Sequence, residues 1–174
     1  MNFELVPPIG IGSLQIGMSR EAANSALESL RDMSELAAAD RAGQHIFRPS
    51  GLMISIGCMR ECLESVELGR PSTSSDVVLF RGIDVFGLPA REVVNRMAEN
   101  TAIEPDDDDP ASFVARDLLL SFWRPFEADD EPEDEQGYYF SSVLLARPGY
   151  YDGPSLKGVA QGCELGISRV WQGC

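Results

Sequence analysis

A histidine, four cysteines, a glycine-rich turn and a dense run of carboxylates are the groups in this chain that could do chemistry. Their spacing decides what each can do. Nucleophilic catalysis of the serine type needs a base poised near neutrality beside a hydroxyl. His45 is the single histidine, it sits in the short, weak strand candidate QHIFR (44–48), and no G-x-S-x-G motif accompanies it. Three residues separate Cys58 from Cys62 and ten separate Cys163 from Cys174, whereas closed zinc sites use tighter knuckles. We read Cys58 and Cys62 as flanking a hairpin turn, and all four cysteines as thiols of a reducing compartment. The turn IGIGSLQIGMS (9–19) offers Gly10, Gly12 and Gly17, but it matches neither G-x-G-x-x-G nor a G-K-[ST] phosphate loop. The acidic runs EPDDDDP and EADDEPEDEQG supply oxygens without the D-x-[DN]-x-[DN]-G order of a calcium loop, and nothing selects two of them as a hydrolytic pair. The expectation is therefore no catalytic residue, no cofactor and no metal.

What remains is charge. The chain of 174 residues carries a formal −14. Residues 104–135 hold thirteen acids against Arg116 and Arg124, which is −11, so the rest of the chain is only −3. Such a field repels nucleic acid and anionic membrane and attracts basic partners. The segment PFEADDEPEDEQG (125–137) carries Phe126 at its start and is flanked by Trp123, Tyr138, Tyr139 and Phe140. Aromatics bracketed by acids have the composition of a recognition patch, although aromatics also build cores. The candidate partner-binding residues are Glu127, Asp129, Asp130, Glu131, Glu133, Asp134, Glu135, Tyr138 and Tyr139, facing a protein with a basic surface.

An internal repeat organises the elements that must position these groups. IGMSREAANSAL (16–27) matches FGLPAREVVNRM (86–97) at an offset of 70, GLMISIG (51–57) matches DLLLSFW (117–123) at 66, and SVELGRP (65–71) matches SVLLARP (142–148) at 77. The changing offset places an eleven-residue excess of the second copy in its acidic segment. Ala23, Ala26, Leu27 and Leu30 predict a helix over 20–31, and Ala90, Val93, Val94, Met97 and Thr101 its counterpart. Ser19 reads as a helix N-cap, and Pro89 as suited to a first helical turn. Strands are predicted at 44–48, 52–57, 62–69, 112–116, 118–123 and 138–146, with a bulge possible in CLESVEL because its apolar residues only partly alternate. Arg-Pro recurs at 48–49, 70–71, 124–125 and 147–148, each time as a strand stop. The predicted fold is α+β: two tandem repeats (1–74 and 75–149), each one main helix on an antiparallel sheet, with a sheet for each repeat and one continuous sheet shared by the two both left open. A tail (150–174) with one strand candidate, ELGISRVW, completes a single compact unit.

Two units of this length, each with a helix start of the type IGMSREA (16–22) or FGLPARE (86–92), resemble the tandem-repeat fold of beta-lactamase inhibitor proteins and BamE-type lipoproteins. The resemblance implies a protein-binding module and no enzymatic activity. Those relatives are exported, whereas MNFELVPPIGIG has neither a basic nor an apolar leader region and no run approaches a membrane span, so a cytoplasmic protein is expected. The leading expectation is a small acidic module of inhibitor or immunity type. A small-ligand sensor domain is the alternative, and an acid-dependent enzyme the weakest reading. No oligomeric state is specified.

Overall fold

The computed structural model describes residues 1–34, 37–41, 44–47 and 50–151, with 31–47 described as backbone only. It is an α+β structure with two sheets and three short to medium helices. The smaller sheet comprises β1 (Asn2–Val6), β2 (Gly10–Ile11), β3 (Leu14–Gln15), β8 (Val77–Phe80) and β9 (Ile83–Asp84), in the order β3-β2-β1-β8-β9. The larger one contains β4 (Ala37–Arg41), β5 (Gln44–Phe47), β6 (Leu52–Met59), β7 (Cys62–Gly69), β10 (Glu104–Pro105), β11 (Phe113–Ala115), β12 (Leu120–Trp123) and β13 (Ser142–Ala146). Its order is β10-β11-β12-β13-β7-β6-β5-β4, all antiparallel, so β7 and β13 join the two sequence halves in one ladder.

Period-2 patterning drives the central strands. Leu52 and Ile54 of β6, Val66 and Leu68 of β7, Val143 and Leu145 of β13 and Leu120 and Phe122 of β12 all turn to one side and are buried. A full burial of each such leucine is worth roughly 1.5–3 kcal/mol. The alternation breaks between Leu63 and Val66 because Glu64 is the extra residue of a bulge: Gly57 pairs with Ser65 but Cys58 with Leu63. The tight β6–β7 turn places Arg60 and Glu61 at φ 49° and 63°, the left-handed geometry that matches the twist of two-residue hairpins. At the seam, Leu144 lies opposite Glu67, flanked by Val143↔Leu68 and Leu145↔Val66. Burial pushes the Glu67 carboxyl above its ordinary range, partly opposed by a hydrogen bond from Ser142.

Helix α1 (Arg20–Ser34) starts at Ser19, whose Oγ accepts the Ala22 N–H at 3.1 Å. Helix α2 (Ala90–Ala98) starts after Pro89, which precedes the first helical residue and makes no side-chain cap bond. Ala23 and Leu27 from α1 and Ala90, Val93 and Met97 from α2 enter a single core cluster with Phe3 and Leu5 of β1 and both central hairpins.

Several expectations need correction. Thr101 lies beyond α2, which ends at Ala98. The apolar run 118–123 is not strand throughout: Arg116–Leu118 is a 3-10 turn and Leu119 has φ 58°, so β12 begins at Leu120. The strand expected from 138 begins only at Ser142, because Glu135–Tyr138 forms the short helix α3. The short strands β2, β3, β4, β9 and β10 have no counterpart among the predicted elements. Pro71, Pro125 and Pro148 do follow the ends of β7, β12 and β13. Arg48–Pro49, Cys163, Cys174, Trp171 and the strand candidate ELGISRVW lie outside the described residues.

Candidate functional site

Segment 125–137 leaves the sheet from the end of β12, where the strand alternation carries Arg124 to the same side as Leu120 and Phe122. Arg124 is 1% exposed. Its Nη1 donates to Asp129 Oδ1 at 2.5 Å and to the Gly137 carbonyl at 2.7 Å, and its guanidinium lies 5.9 Å from the centre of the Phe140 ring. A charge buried to this degree persists only if it is paired and hydrogen-bonded. Asp129 is the counter-ion. From α2, Arg91 donates through Nε to Asp129 Oδ2 at 3.1 Å and through Nη1 to Asp130 Oδ1 at 3.1 Å. Burial raises the Asp129 pKa, but the hydrogen bonds and charges of Arg124 and Arg91 outweigh it and hold the carboxyl below the ordinary aspartate range.

The far end of the loop is held from β7. Arg70 Nη1 donates to Glu135 Oε2 at 3.3 Å, and its guanidinium lies 4.1 Å over the ring of Tyr139. Tyr139 meets Tyr138 edge to face at 5.0 Å. Between the anchors, the Gly137 carbonyl also accepts the Ala128 N–H at 3.1 Å, and Gly137 is buried so tightly that a Cβ there would stand 2.5 Å from Phe126 Cε2 and 2.7 Å from Ala128 Cβ. Glycine is required by space at this position. The acidic segment is thus mounted on β7, β12 and α2 by three arginines, and is not a loose charged coil.

The nine candidate residues divide accordingly. Glu127, Asp130, Glu131, Glu133 and Glu135 are exposed, while Asp134, Tyr138 and Tyr139 are half-buried. Asp129, with 9% of its side chain exposed, is turned inward and spent on Arg124 and Arg91. Among the described residues, Glu127, Glu131 and Glu133 form no ion pair within 4.0 Å. Of the other aromatics, Phe140 is fully buried and Phe126 is 42% exposed. In the run at 106–109, Asp106 and Asp109 accept the amides of Asp108 and Ala111, so they shape a turn.

Sequence reasoning missed the arginines. Arg124 was one of two cations in the acidic window and stood immediately before the loop, which was the available signal. Arg70 and Arg147 directly follow β7 and β13, and Arg147 pairs with Glu64 at 2.9 Å. Cys58 and Cys62 do flank the β6–β7 turn and are both free thiols, and burial pushes the Cys58 thiol up, away from the reactive thiolate. His45 lies on β5 opposite Ile54. Among the described residues, no three His, Cys, Asp or Glu side chains are grouped to hold a metal ion, and no helix is long and apolar enough to cross a membrane.

Two grooves lie on the described surface, and one of them reaches the loop at Glu135. One of about 230 Å³ lies between the β8–β9 turn and the end of α2, lined by Phe80, Arg81, Met97 and Thr101 among others. The other, about 220 Å³, lies between residues 70–77, the approach to α2 and Glu135. Both fall below the roughly 300–1,000 Å³ of ordinary small-ligand pockets. Compared with known proteins, the chain matches no family model, no curated protein and no solved structure.

Proposed function

We propose that the chain is a duplicated, non-enzymatic protein-binding module of inhibitor or immunity type, acting in the cytoplasm on a partner with a basic surface. The observation that carries the reading is the mounting of the acidic loop by Arg70, Arg91 and Arg124, which holds exposed carboxylates in a preformed array. A rigid array loses less entropy on binding than a mobile one, and its field speeds encounter with a cationic surface. The resemblance to tandem-repeat inhibitors and lipoproteins belongs to the same reading.

Strand register supports the duplication. At offsets of 66 and 77, the pairs Ile54↔Leu68, Ser55↔Glu67 and Ile56↔Val66 become Leu120↔Leu145, Ser121↔Leu144 and Phe122↔Val143, which are pairs of the β12–β13 ladder. The Arg70 N–H donates to the Ser141 carbonyl, and the Arg147 N–H to the Glu64 carbonyl, each at 2.8 Å. These two bonds interchange at the offset of 77. The acidic segment is where the second half departs from the first, so the specialised function is assigned there.

The test is capture of partners on the full chain at low and high salt, followed by association kinetics of whatever basic protein is recovered. Neutralising Glu127, Glu131 and Glu133 together to Gln leaves every anchoring ion pair intact. We expect the association rate to fall about tenfold or more at low salt, and the difference to shrink at high salt. An unchanged rate, or a partner with an acidic surface, overturns the proposal.

A further inference from the structure

The groove of about 220 Å³ occurs where the two halves differ. In the first half the approach to α1 is closed by the tip of the β6–β7 hairpin: the Gly17 N–H donates to the Leu63 carbonyl, the Leu63 N–H to the Met18 carbonyl and the Arg20 N–H to the Glu61 carbonyl, each at 2.8 Å. The approach to α2 has no such partner strand among the described residues. Its amides turn to a side chain instead, Phe86 N–H and Gly87 N–H donating to Asp84 Oδ1 at 3.2 and 2.8 Å. The groove lies along this edge, with Ser72, Thr73 and Ser74 on a second wall and Arg70 and Glu135 on a third. Asp84 Oδ2 sits against Gly87, where a Cβ would stand 2.2 Å from it, so only glycine leaves room for this half-buried carboxylate beside the groove it lines.

The charges around the groove are matched except at this point. Asp76 pairs with the Met1 ammonium at 2.7 Å and Glu135 with Arg70 at 3.3 Å. No cation stands within 4.0 Å of Asp84 among the described residues. We infer that the groove receives one cationic side chain of the basic partner, arginine or lysine, as the ion-pair partner of Asp84. The acidic loop draws that surface in, and the groove anchors it. This rests on the reading of the chain as a binder of a basic protein, and extends it to a residue outside the loop.

The test uses the full chain, isotope-labelled, titrated with Nα-acetyl-arginine amide, Nα-acetyl-lysine amide and the uncharged isostere Nα-acetyl-citrulline amide. Saturable amide shifts are expected at Phe86, Gly87, Ser72 and Ser74 with the cationic probes and not with citrulline, and the stronger probe names the side chain. Asp84→Asn keeps the oxygen that accepts from Phe86 and Gly87 and removes the charge, so the fold is retained and the dissociation constant should rise at least tenfold. Glu21→Gln, on the far half, should leave it unchanged. Equal shifts with citrulline, undiminished binding by Asp84→Asn, or shifts confined to 127–135 would overturn the inference. The two readings fail separately: a basic protein that depends on Glu127, Glu131 and Glu133 but not on Asp84 defeats the groove alone, whereas probe binding at Phe86 and Gly87 by a chain with no basic partner defeats the wider function alone.

Discussion

Arg124 and Asp129 show how little of a residue's role its type discloses. Asp129 belongs to a run that composition marks as solvated, yet its two oxygens are shared between a buried and an exposed guanidinium. Its neighbour Asp130, with a side chain 88% exposed, pairs with Arg91 and with no second arginine among the described residues. The two aspartates should respond very differently to the same change. Asp129→Asn leaves the Arg124 charge buried without its counter-ion and should cost about 3–5 kcal/mol, while Asp130→Asn breaks a screened surface pair and should stay within about 1 kcal/mol. Urea unfolding at pH 7 measures both. The pH dependence follows from the depressed carboxyl: the Asp129 contribution is fully present above its unfolded value, near 3.8, and is lost as pH falls through the lower folded value. The gap between the native chain and Asp129→Asn should therefore be constant above pH 5 and close progressively below 3.8. A gap that widens on acidification would show that the pair does not stabilise the fold.

At the scale of elements, legibility followed length and period. The predicted strand at 62–69 coincides with β7, and the shorter β6 prediction lies within the observed strand, because each is an eight-residue element whose apolar positions, although shifted once by the bulge in β7, form a pattern long enough to read. β2, β3, β9 and β10 have two residues each, too few to show any period, and they exist because a neighbouring strand supplies the hydrogen bonds. The sequence YYFSSVLLA reads as continuous strand, yet Gly137, the Asp134 carbonyl and the stacking of Tyr139 under Arg70 hold its first residues in the loop. Three-dimensional partners decided that boundary, and no local pattern carries them. The start of α1 was legible because a cap is a local device. Ser19→Ala removes the acceptor of the Ala22 N–H and should cost about 1 kcal/mol, against almost nothing for Ser25→Ala on the exposed side of the same helix. Chemical denaturation would measure the pair, and equal effects would show that α1 is held by packing alone.

For the whole molecule, the decisive feature is that the halves share both a ladder and a core. Leu68 is fully buried in β7, opposite Ile54 within its own half and opposite Val143 in the other. Phe3 and Leu5 of β1 add a second tie, since β1 pairs with β2 on one side and with β8 on the other. A chain whose halves folded independently would place no such residues between them, and each half alone would expose a long unpaired edge strand, which proteins avoid. Unfolding should therefore be a single transition. Leu68→Ala should cost about 2–5 kcal/mol, by lost burial and the cavity it leaves. It should also shift the fluorescence of Trp123, in the second half, and the far-ultraviolet dichroism of the whole chain to the same lower denaturant concentration, with Trp171→Phe as the background that isolates Trp123. If the Trp123 signal stayed at its original midpoint while the dichroism split into two steps, the second half would stand without the first. The acidic loop would then be mounted on one half, and the seam at Glu67 and Leu144 would be a contact between two modules that fold separately.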